Sequence, residues 1–151
     1  SPRERLVMDG LIRRYGRASA ERLLCGQGLV DACAILCEAD GVPGAALPTA
    51  AAVTEAAVAG QLPQATEALT HFCALLGSVA GNLALTLGAR GGVYIVGGVI
   101  PRFADFFLES GFARCFADKG CMSDYFKGIP VWLVTAPYSG LMGAGVALEQ
   151  S

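Results

Sequence analysis

The fold of this chain is decided by the stretch Gly91-Gly92-Val93-Tyr94-Ile95-Val96-Gly97-Gly98-Val99-Ile100-Pro101-Arg102-Phe103-Ala104-Asp105-Phe106-Phe107. Residues Val93 to Val96 are β-branched or aromatic and stop at a glycine pair, which predicts a short buried strand. Pro101 then opens a new segment, because proline is well tolerated in the first turn of a helix. The stretch therefore predicts a strand, a tight turn and a helix.

The glycine pair of this stretch is a candidate ligand site. Gly97 and Gly98 carry no Cβ, so a flat or charged ligand group could approach the backbone there. The amide groups ahead of the helix would favour an anion, and a nucleotide is the natural ligand. The alternative is that the two glycines only let the chain turn at a sheet edge, since the spacing is not the longer dinucleotide fingerprint.

A second strand and helix follow this stretch. Residues Val131 to Thr135 read as another buried strand, Pro137 and Ser139 as a turn, and Gly140 to Glu149 as the last helix. Strand, helix, strand and helix in this order predict a parallel pair with a right-handed crossover. Two strands are few for a parallel sheet, so we expect part of the sheet to be missing from this chain.

The rest of the chain, residues 1–89, is predicted to be mainly helical. Periodicity and capping signals indicate helices over about 2–15, 20–24, 29–38, 49–59 and 63–87, with a loop over 39–48, a short helical piece near 113–116 and a polar connector over 118–124. The longest helix has no charge from Phe72 to Ala89, which is long enough to span a bilayer. Its polar edge of Ser78, Asn82 and Thr86 argues instead for a buried soluble helix. Gly77 and Gly81 would let a neighbouring element pack closely against it.

Composition limits the possible partners. The chain is 54% hydrophobic, which suits one domain with a real core, and its net charge of -2 gives no basic field for nucleic acid or an anionic membrane. Six arginines in the first 22 residues alternate with acidic residues and read as a solvated helix face. The six cysteines lack the spacing of a zinc site, so we predict no metal centre and reduced thiols in a cytoplasm. The chain starts at Ser1 without a Met or a leader, and we interpret this as a cut end.

Four segments of the chain resemble bacterial glucokinase of the proteobacterial type, in the family's order. They are Ser19 to Leu29, Gly81 to Leu85, Gly91 to Phe103 and Gly140 to Gly145. The resemblance implies a carboxy-terminal fragment of the large domain of an α/β, ribonuclease H-like fold shared with actin, sugar kinases and Hsp70. It also implies transfer of the γ-phosphate of ATP, with Mg²⁺, to the 6-hydroxyl of glucose, and a homodimer is expected to cover the exposed sheet edge.

The resemblance assigns candidate binding residues. Glu21 matches the family's sugar-binding glutamate, whose two carboxylate oxygens can accept from a pair of sugar hydroxyls. Without the resemblance, Glu21 reads as an ordinary charge at a helix start. Gly97 and Gly98 match the family's adenosine motif. Gly140 and Gly143 lie in the segment that, by this resemblance, would line the adenine site beside that motif. The alternative for Gly140, Gly143 and Gly145 is close helix packing.

Some features depart from the family pattern or are absent. Cys25 and Gln27 stand where Ser and Pro are usual, which leaves the hydrogen bonds of that loop open. The single histidine, His71, is interpreted as structural. We expect no catalytic residue in this chain, because the aspartates read as helix-surface or connector residues and none follows the Asn of the family's catalytic-base motif: Asp9, Asp31, Asp40, Asp105, Asp118 and Asp124. The chain alone is thus predicted to be inactive. The alternative is a sugar-responsive repressor or an oligomerisation module of the same fold.

Overall fold

A computed structural model describes residues 1–42 and 47–150 of the chain. The helices are α1 (Pro2–Tyr15), α2 (Ala20–Leu23), α3 (Gly26–Ala39), α4 (Ala50–Val58), α5 (Pro63–Leu87), α6 (Ala104–Glu109), α7 (Phe112–Ala117) and α8 (Ser139–Glu149). The strands are β1 (Val93–Ile95) and β2 (Val131–Leu133), and 3-10 turns occupy Ile100–Phe103 and Gly120–Phe126. Part of the loop predicted over 39–48 lies outside the described residues.

Local capping signals set the helix boundaries, as the sequence predicts. The Ser1 hydroxyl accepts a hydrogen bond from the Glu4 amide at 3.2 Å, and the Glu4 carboxylate accepts one from the Ser1 amine. These two reciprocal bonds form a capping box at the start of α1. Gly16 ends the helix in the left-handed conformation with a φ of 76°, which its missing Cβ allows. Gly88 ends α5 in the same way with a φ of 63°. The predicted ends of both helices are confirmed.

Helix α5 is the central element of the packing. It contacts α3 and α4 on one side and α7 on another, and fully buried Leu69 and Cys73 lie on its core face. It is also long and apolar enough to cross a membrane, and 39% of its most apolar 18-residue stretch is buried. One such helix is weak evidence for a span, because the core helix of a soluble protein has the same length and composition.

Glycines in α5 bring α7 close to it. A Cβ at Gly77 would overlap the carbonyl oxygen of Phe112, and a Cβ at Gly81 would overlap that of Phe116. The Lys119 ammonium then donates to the carbonyl oxygen of Ser78 in α5 at 3.2 Å. The close packing predicted for these two glycines is confirmed, and the neighbouring element is α7.

The two strands form a parallel pair in which Val93, Tyr94 and Ile95 face Val131, Trp132 and Leu133. This confirms the predicted parallel sheet. The prediction that both strands are buried is wrong for one face, because Ile95 is 7% exposed whereas Tyr94 is 65% exposed. The Tyr94 and Trp132 rings stack at 4.7 Å on the exposed face. Side chains alternate along a strand, and the described residues cover only one side of the pair.

Three local predictions need correction. The segment predicted as a polar connector over 118–124 contains a 3-10 helix, Gly120–Phe126, because buried Phe126 packs edge-on against Phe116 at 5.1 Å. Helix α3 begins at Gly26, three residues before the predicted start, since Cys25 caps it. Ser139 belongs to α8 and not to the turn that precedes it.

Three helices are joined at the surface by Arg3. Its guanidinium donates to both carboxylate oxygens of Asp40 at the end of α3, at 2.6 and 2.9 Å, and to both of Glu67 in α5, at 2.8 and 2.6 Å. The hydrogen bond from Arg3 lowers the pKa of Asp40 to about 2, and it lowers the pKa of Glu67 as well. This fork ties α1 to α3 and α5.

We predict that Gly77→Ala destabilises the chain by about 2 kcal/mol, because the new methyl group must displace the backbone of α7. In an open helix the same change would stabilise by up to ~1 kcal/mol. Gly145→Ala in α8 is the matched control, because a Cβ there meets nothing within 4 Å. Chemical denaturation measures both variants, and equal stability changes would contradict the close-packing argument.

The Arg3 fork also predicts a pH dependence. Since the folded pKa of Asp40, about 2, lies below its ordinary value of 3.8, the stabilisation is complete above pH ~4 and is lost as the pH falls through about 2. Asp40→Asn removes the titrating group, so its free energy of unfolding should fall less steeply between pH 4 and 2 than that of the unmodified chain. Denaturation at a series of pH values measures this free energy for both proteins. Equal slopes of the free energy of unfolding against pH between pH 4 and 2 would show that Asp40 does not contribute.

Candidate functional site

Glu21 lies in the first turn of the four-residue helix α2 and is exposed to solvent. The helix begins at Ser19, whose extended backbone, with a φ of -136°, lets its hydroxyl accept from the Arg22 amide at 3.2 Å. A carboxylate in a first turn faces the positive end of the helix dipole. The local sequence therefore presents the Glu21 carboxylate outward at a helix start.

Helix α2 rests directly on the first turn of α3. A Cβ at Gly28 would overlap the carbonyl oxygen of Arg22, so only glycine permits this approach. The Cys25 thiol caps α3 by accepting from the Gly28 amide at 3.3 Å, and it donates to the Arg22 carbonyl oxygen at 3.4 Å. The departure at Cys25 therefore keeps a capping side chain, with sulfur in place of oxygen.

Asp31 lies in α3 and is only 5% exposed, so its expected place on a helix surface is wrong. Its carboxylate accepts from the Tyr15 hydroxyl at 2.9 Å, from Arg14 at 3.4 Å and from the Gln27 amide at 3.3 Å. The hydrogen bond to Asp31 raises the pKa of Tyr15. These partners compensate for burial of the charge, which is why a carboxylate is tolerated here. Gln27, the second departure in the loop, thereby has a defined partner.

Sequence reasoning missed this cluster, although one signal was available. Asp31 interrupts the apolar run Leu29-Val30-Asp31-Ala32-Cys33, and a charged residue in such a run requires a buried partner. Two of its three partners, Tyr15 and Arg14, come from the end of α1, sixteen and seventeen residues earlier. Their identity depends on the packing of α1 against α3, which the sequence pattern does not reveal.

The glycine pair predicted to contact a nucleotide lies at the carboxyl edge of the sheet. Gly97 and Gly98 follow β1, and the connection to α8 follows β2. Because the strands are parallel, both segments begin at the same edge of the sheet. The Val134 amide donates to the Ile95 carbonyl oxygen there at 2.9 Å. Carboxyl ends of parallel strands are the usual ligand edge of an α/β sheet. The structure therefore places the glycine turn and the start of α8 at one edge, whereas Glu21 belongs to α2, which packs on α3 and α5.

The structure weakens the two alternative explanations for these glycines. Neither Gly97 nor Gly98 has a positive φ, so their backbone angles do not require glycine. A Cβ at Gly97, Gly98, Gly140 or Gly143 would meet no described atom within 4 Å, so packing does not require glycine either. The space beside all four glycines is therefore open in the described residues. All four residues are exposed, and their contact with a nucleotide stays a prediction.

His71 has the environment of a structural residue. It is half-buried on α5, its Nε2 lies 3.8 Å from Glu67, and burial lowers its pKa. Within residues 1–42 and 47–150, no group of three His, Cys, Asp or Glu side chains could hold a metal ion.

Comparison with known proteins defines the class. Helices and a parallel strand pair in this arrangement occur in the crystal structure of glucokinase from an Antarctic psychrotroph, with a TM-score of 0.86 and 34% identity over 100% of this chain and 47% of that one. The family model for glucokinase matches residues 1–151. The chain belongs to the glucokinase family, which confirms the resemblance seen in the sequence.

Curated relatives agree along the length of the chain. Glucokinase of Hahella chejuensis is 54% identical over 144 residues, covering 95% of this chain and 44% of the relative. Glucokinase of Pseudomonas aeruginosa strain PAO1 is 50% identical over 152 residues, covering 100% of this chain and 45% of the relative. The chain thus spans less than half the length of the relatives that it matches.

The cap at Cys25 generates a prediction for the site. A serine hydroxyl is a stronger N-cap than a thiol, so Cys25→Ser should raise the free energy of unfolding by about 0.5 kcal/mol. Cys121→Ser is the control, because Cys121 is exposed and does not cap a helix. Denaturation of both variants under reducing conditions decides the question. A loss of stability in Cys25→Ser would show that the thiol contributes through its packing.

Proposed function

We propose that this chain is part of an ATP-dependent glucokinase that transfers the γ-phosphate of ATP to the 6-hydroxyl of glucose, the first step of glycolysis. The observation that carries the proposal is membership of the glucokinase family over residues 1–151. Each relative described above is named glucokinase, which favours a kinase over a repressor of the same fold. Within this proposal the chain is the carboxy-terminal part of a ribonuclease H-like large domain in a cytoplasmic enzyme.

Sugar recognition is assigned to Glu21. Its exposure at the start of α2 leaves the carboxylate accessible to solvent, and the described residues place no cation within ion-pair distance of it. A carboxylate without a protein counter-charge can accept hydrogen bonds from two neighbouring hydroxyl groups. This geometry suits a pyranose, whose adjacent hydroxyls lie on one edge of the ring.

Nucleotide recognition is assigned to the sheet edge, with Gly97 and Gly98 on one side of the adenosine and Gly140 and Gly143 on the other. The exposed glycine backbone lets a flat ring approach closely. Binding of the nucleotide phosphates, binding of Mg²⁺ and the catalytic base are assigned to parts of the full-length protein outside this chain. On its own the chain is accordingly expected not to phosphorylate glucose.

A homodimer is also part of the proposal. Helix α8 has no buried residue, and it exposes Leu141, Met142, Val146 and Leu148. Tyr94 and Trp132 add exposed aromatic surface on the sheet. Proteins usually cover apolar surface of this kind, either with other parts of the same chain or with a second copy.

The sugar assignment predicts the effect of Glu21→Gln in the full-length protein. Loss of charge-assisted hydrogen bonds should lower kcat/KM for glucose by about thirtyfold, or about 2 kcal/mol. Glu55→Gln is the matched control, since Glu55 is an exposed glutamate on α4. Steady-state kinetics with varied glucose measure kcat/KM for both variants. An unchanged kcat/KM in Glu21→Gln would contradict the sugar assignment and leave Glu21 as an ordinary charge at a helix start.

The nucleotide assignment predicts that Gly98→Ala raises KM for ATP by about tenfold, or about 1.4 kcal/mol, because the methyl group occupies the space of the ligand. Stability should change by less than about 0.5 kcal/mol, since that space is open in the chain. Gly91→Ala is the control, as its Cβ also meets nothing within 4 Å but lies ahead of β1. Equal KM values for ATP in the two variants would remove Gly98 from the nucleotide site.

A further inference from the structure

The helix that carries Glu21 is too short to hold its own orientation. Helix α2 has four residues and no buried residue, and isolated helices of this length are unstable in water. A sugar-binding carboxylate must nevertheless be held to within a fraction of an ångström for its hydrogen bonds to form well. Contacts from outside α2 therefore have to fix the position of Glu21.

One such contact is made by the residue next to Glu21. The guanidinium of Arg22 lies over the ring of Tyr15 at 4.2 Å from the ring centroid, in cation–π geometry. Tyr15 is the last residue of α1, and Arg22 is the third residue of α2. The stack therefore joins α2 to α1 across the connection of residues 16–19.

The Tyr15 ring is itself fixed by Asp31. Its hydroxyl donates to the buried carboxylate at 2.9 Å, and Arg14 and Gln27 donate to the other carboxylate oxygen at 3.4 and 3.3 Å. Asp31 lies in α3, the helix on which α2 rests through Gly28. Replacement of a whole buried ion pair by hydrophobic residues of similar volume is often neutral or stabilising, so the pairing of Asp31 is weak evidence for a purely stabilising role.

We propose that Asp31, Tyr15 and Arg22 form a positioning chain that holds α2, and with it Glu21, in the orientation required to bind the sugar. Asp31 fixes the Tyr15 hydroxyl, the Tyr15 ring fixes Arg22, and Arg22 fixes α2. None of the three touches the sugar in this arrangement. The inference deepens the proposed function, because it rests on Glu21 being the sugar ligand.

The test uses three mild variants of the full-length protein, each of which removes or weakens one contact of the positioning chain. Tyr15→Phe removes the hydroxyl and keeps the ring, Arg22→Gln removes the cation, and Asp31→Asn weakens the acceptor. Each should raise KM for glucose by about fivefold, the equivalent of one lost hydrogen bond or cation–π contact, with kcat and KM for ATP changed by less than about twofold. Arg22→Lys, which keeps a cation over the ring, should recover part of the loss.

Asp40→Asn is the matched control. It changes a paired carboxylate at the opposite end of α3, so it should lower stability and leave KM for glucose unchanged. A double-mutant cycle adds the decisive readout: in a Glu21→Gln background, Tyr15→Phe should raise KM for glucose by much less than it does alone. A merely structural role of Tyr15 would give independent effects in that cycle.

The outcomes separate the inference from the proposed function. If the wild-type protein phosphorylates glucose and the three variants keep its KM for glucose while losing thermal stability, the positioning chain is refuted and the function stands. If the wild-type protein has no glucose-dependent ADP release, both are refuted. Should Asp31→Asn fail to fold, Tyr15→Phe and Arg22→Gln decide the outcome, because Tyr15→Phe leaves the buried carboxylate with two of its three donors and Arg22→Gln leaves it with all three.

Discussion

The close approach of α7 to α5 is the constraint on which the rest of the structure depends. Gly77 and Gly81 offer bare backbone, so α7 lies against α5 through the carbonyl oxygens of Phe112 and Phe116. The rings of α7 then reach their partners, with Phe112 at 4.7 Å from Phe107. Since α5 also packs against α3 and α4, this single helix joins the helical part of the chain to the segments around the sheet.

The two candidate sites differ in their supports. Glu21 belongs to α2, which lies on α3, and the buried carboxylate of Asp31 ties α3 to α1. The glycines near the sheet edge lie next to two three-residue strands and in α8, a helix with no buried residue. The candidate sugar ligand is therefore organised within this chain, whereas a nucleotide contact there would be completed by surfaces outside it.

Predictions from the sequence succeeded where the cause was local. The ends of α1 and α5 follow from Ser1, Gly16 and Gly88, because a capping hydroxyl and a left-handed glycine act within one turn. The parallel pairing followed from element order, since two strands joined by a long connection that contains helices are typically parallel, whereas antiparallel strands can be joined by a short hairpin. Predictions failed where a side chain interacts with another segment, as at Phe126, which packs against Phe116 at the end of a 3-10 helix that overlaps the predicted polar connector.

The sequence by itself determined the succession of helices and strands, the glycine turn after β1 and, through the four matching segments, the family. These depend on residue type and spacing over a few residues, which the chain displays directly. Only the tertiary structure decided that Asp31 is buried against the end of α1, that Tyr15 and Arg22 connect it to the helix of Glu21, and that Gly97 and Gly143 face open space. Those facts depend on which helices meet and at what distance, and contacts between residues far apart in sequence leave no periodic signal in it.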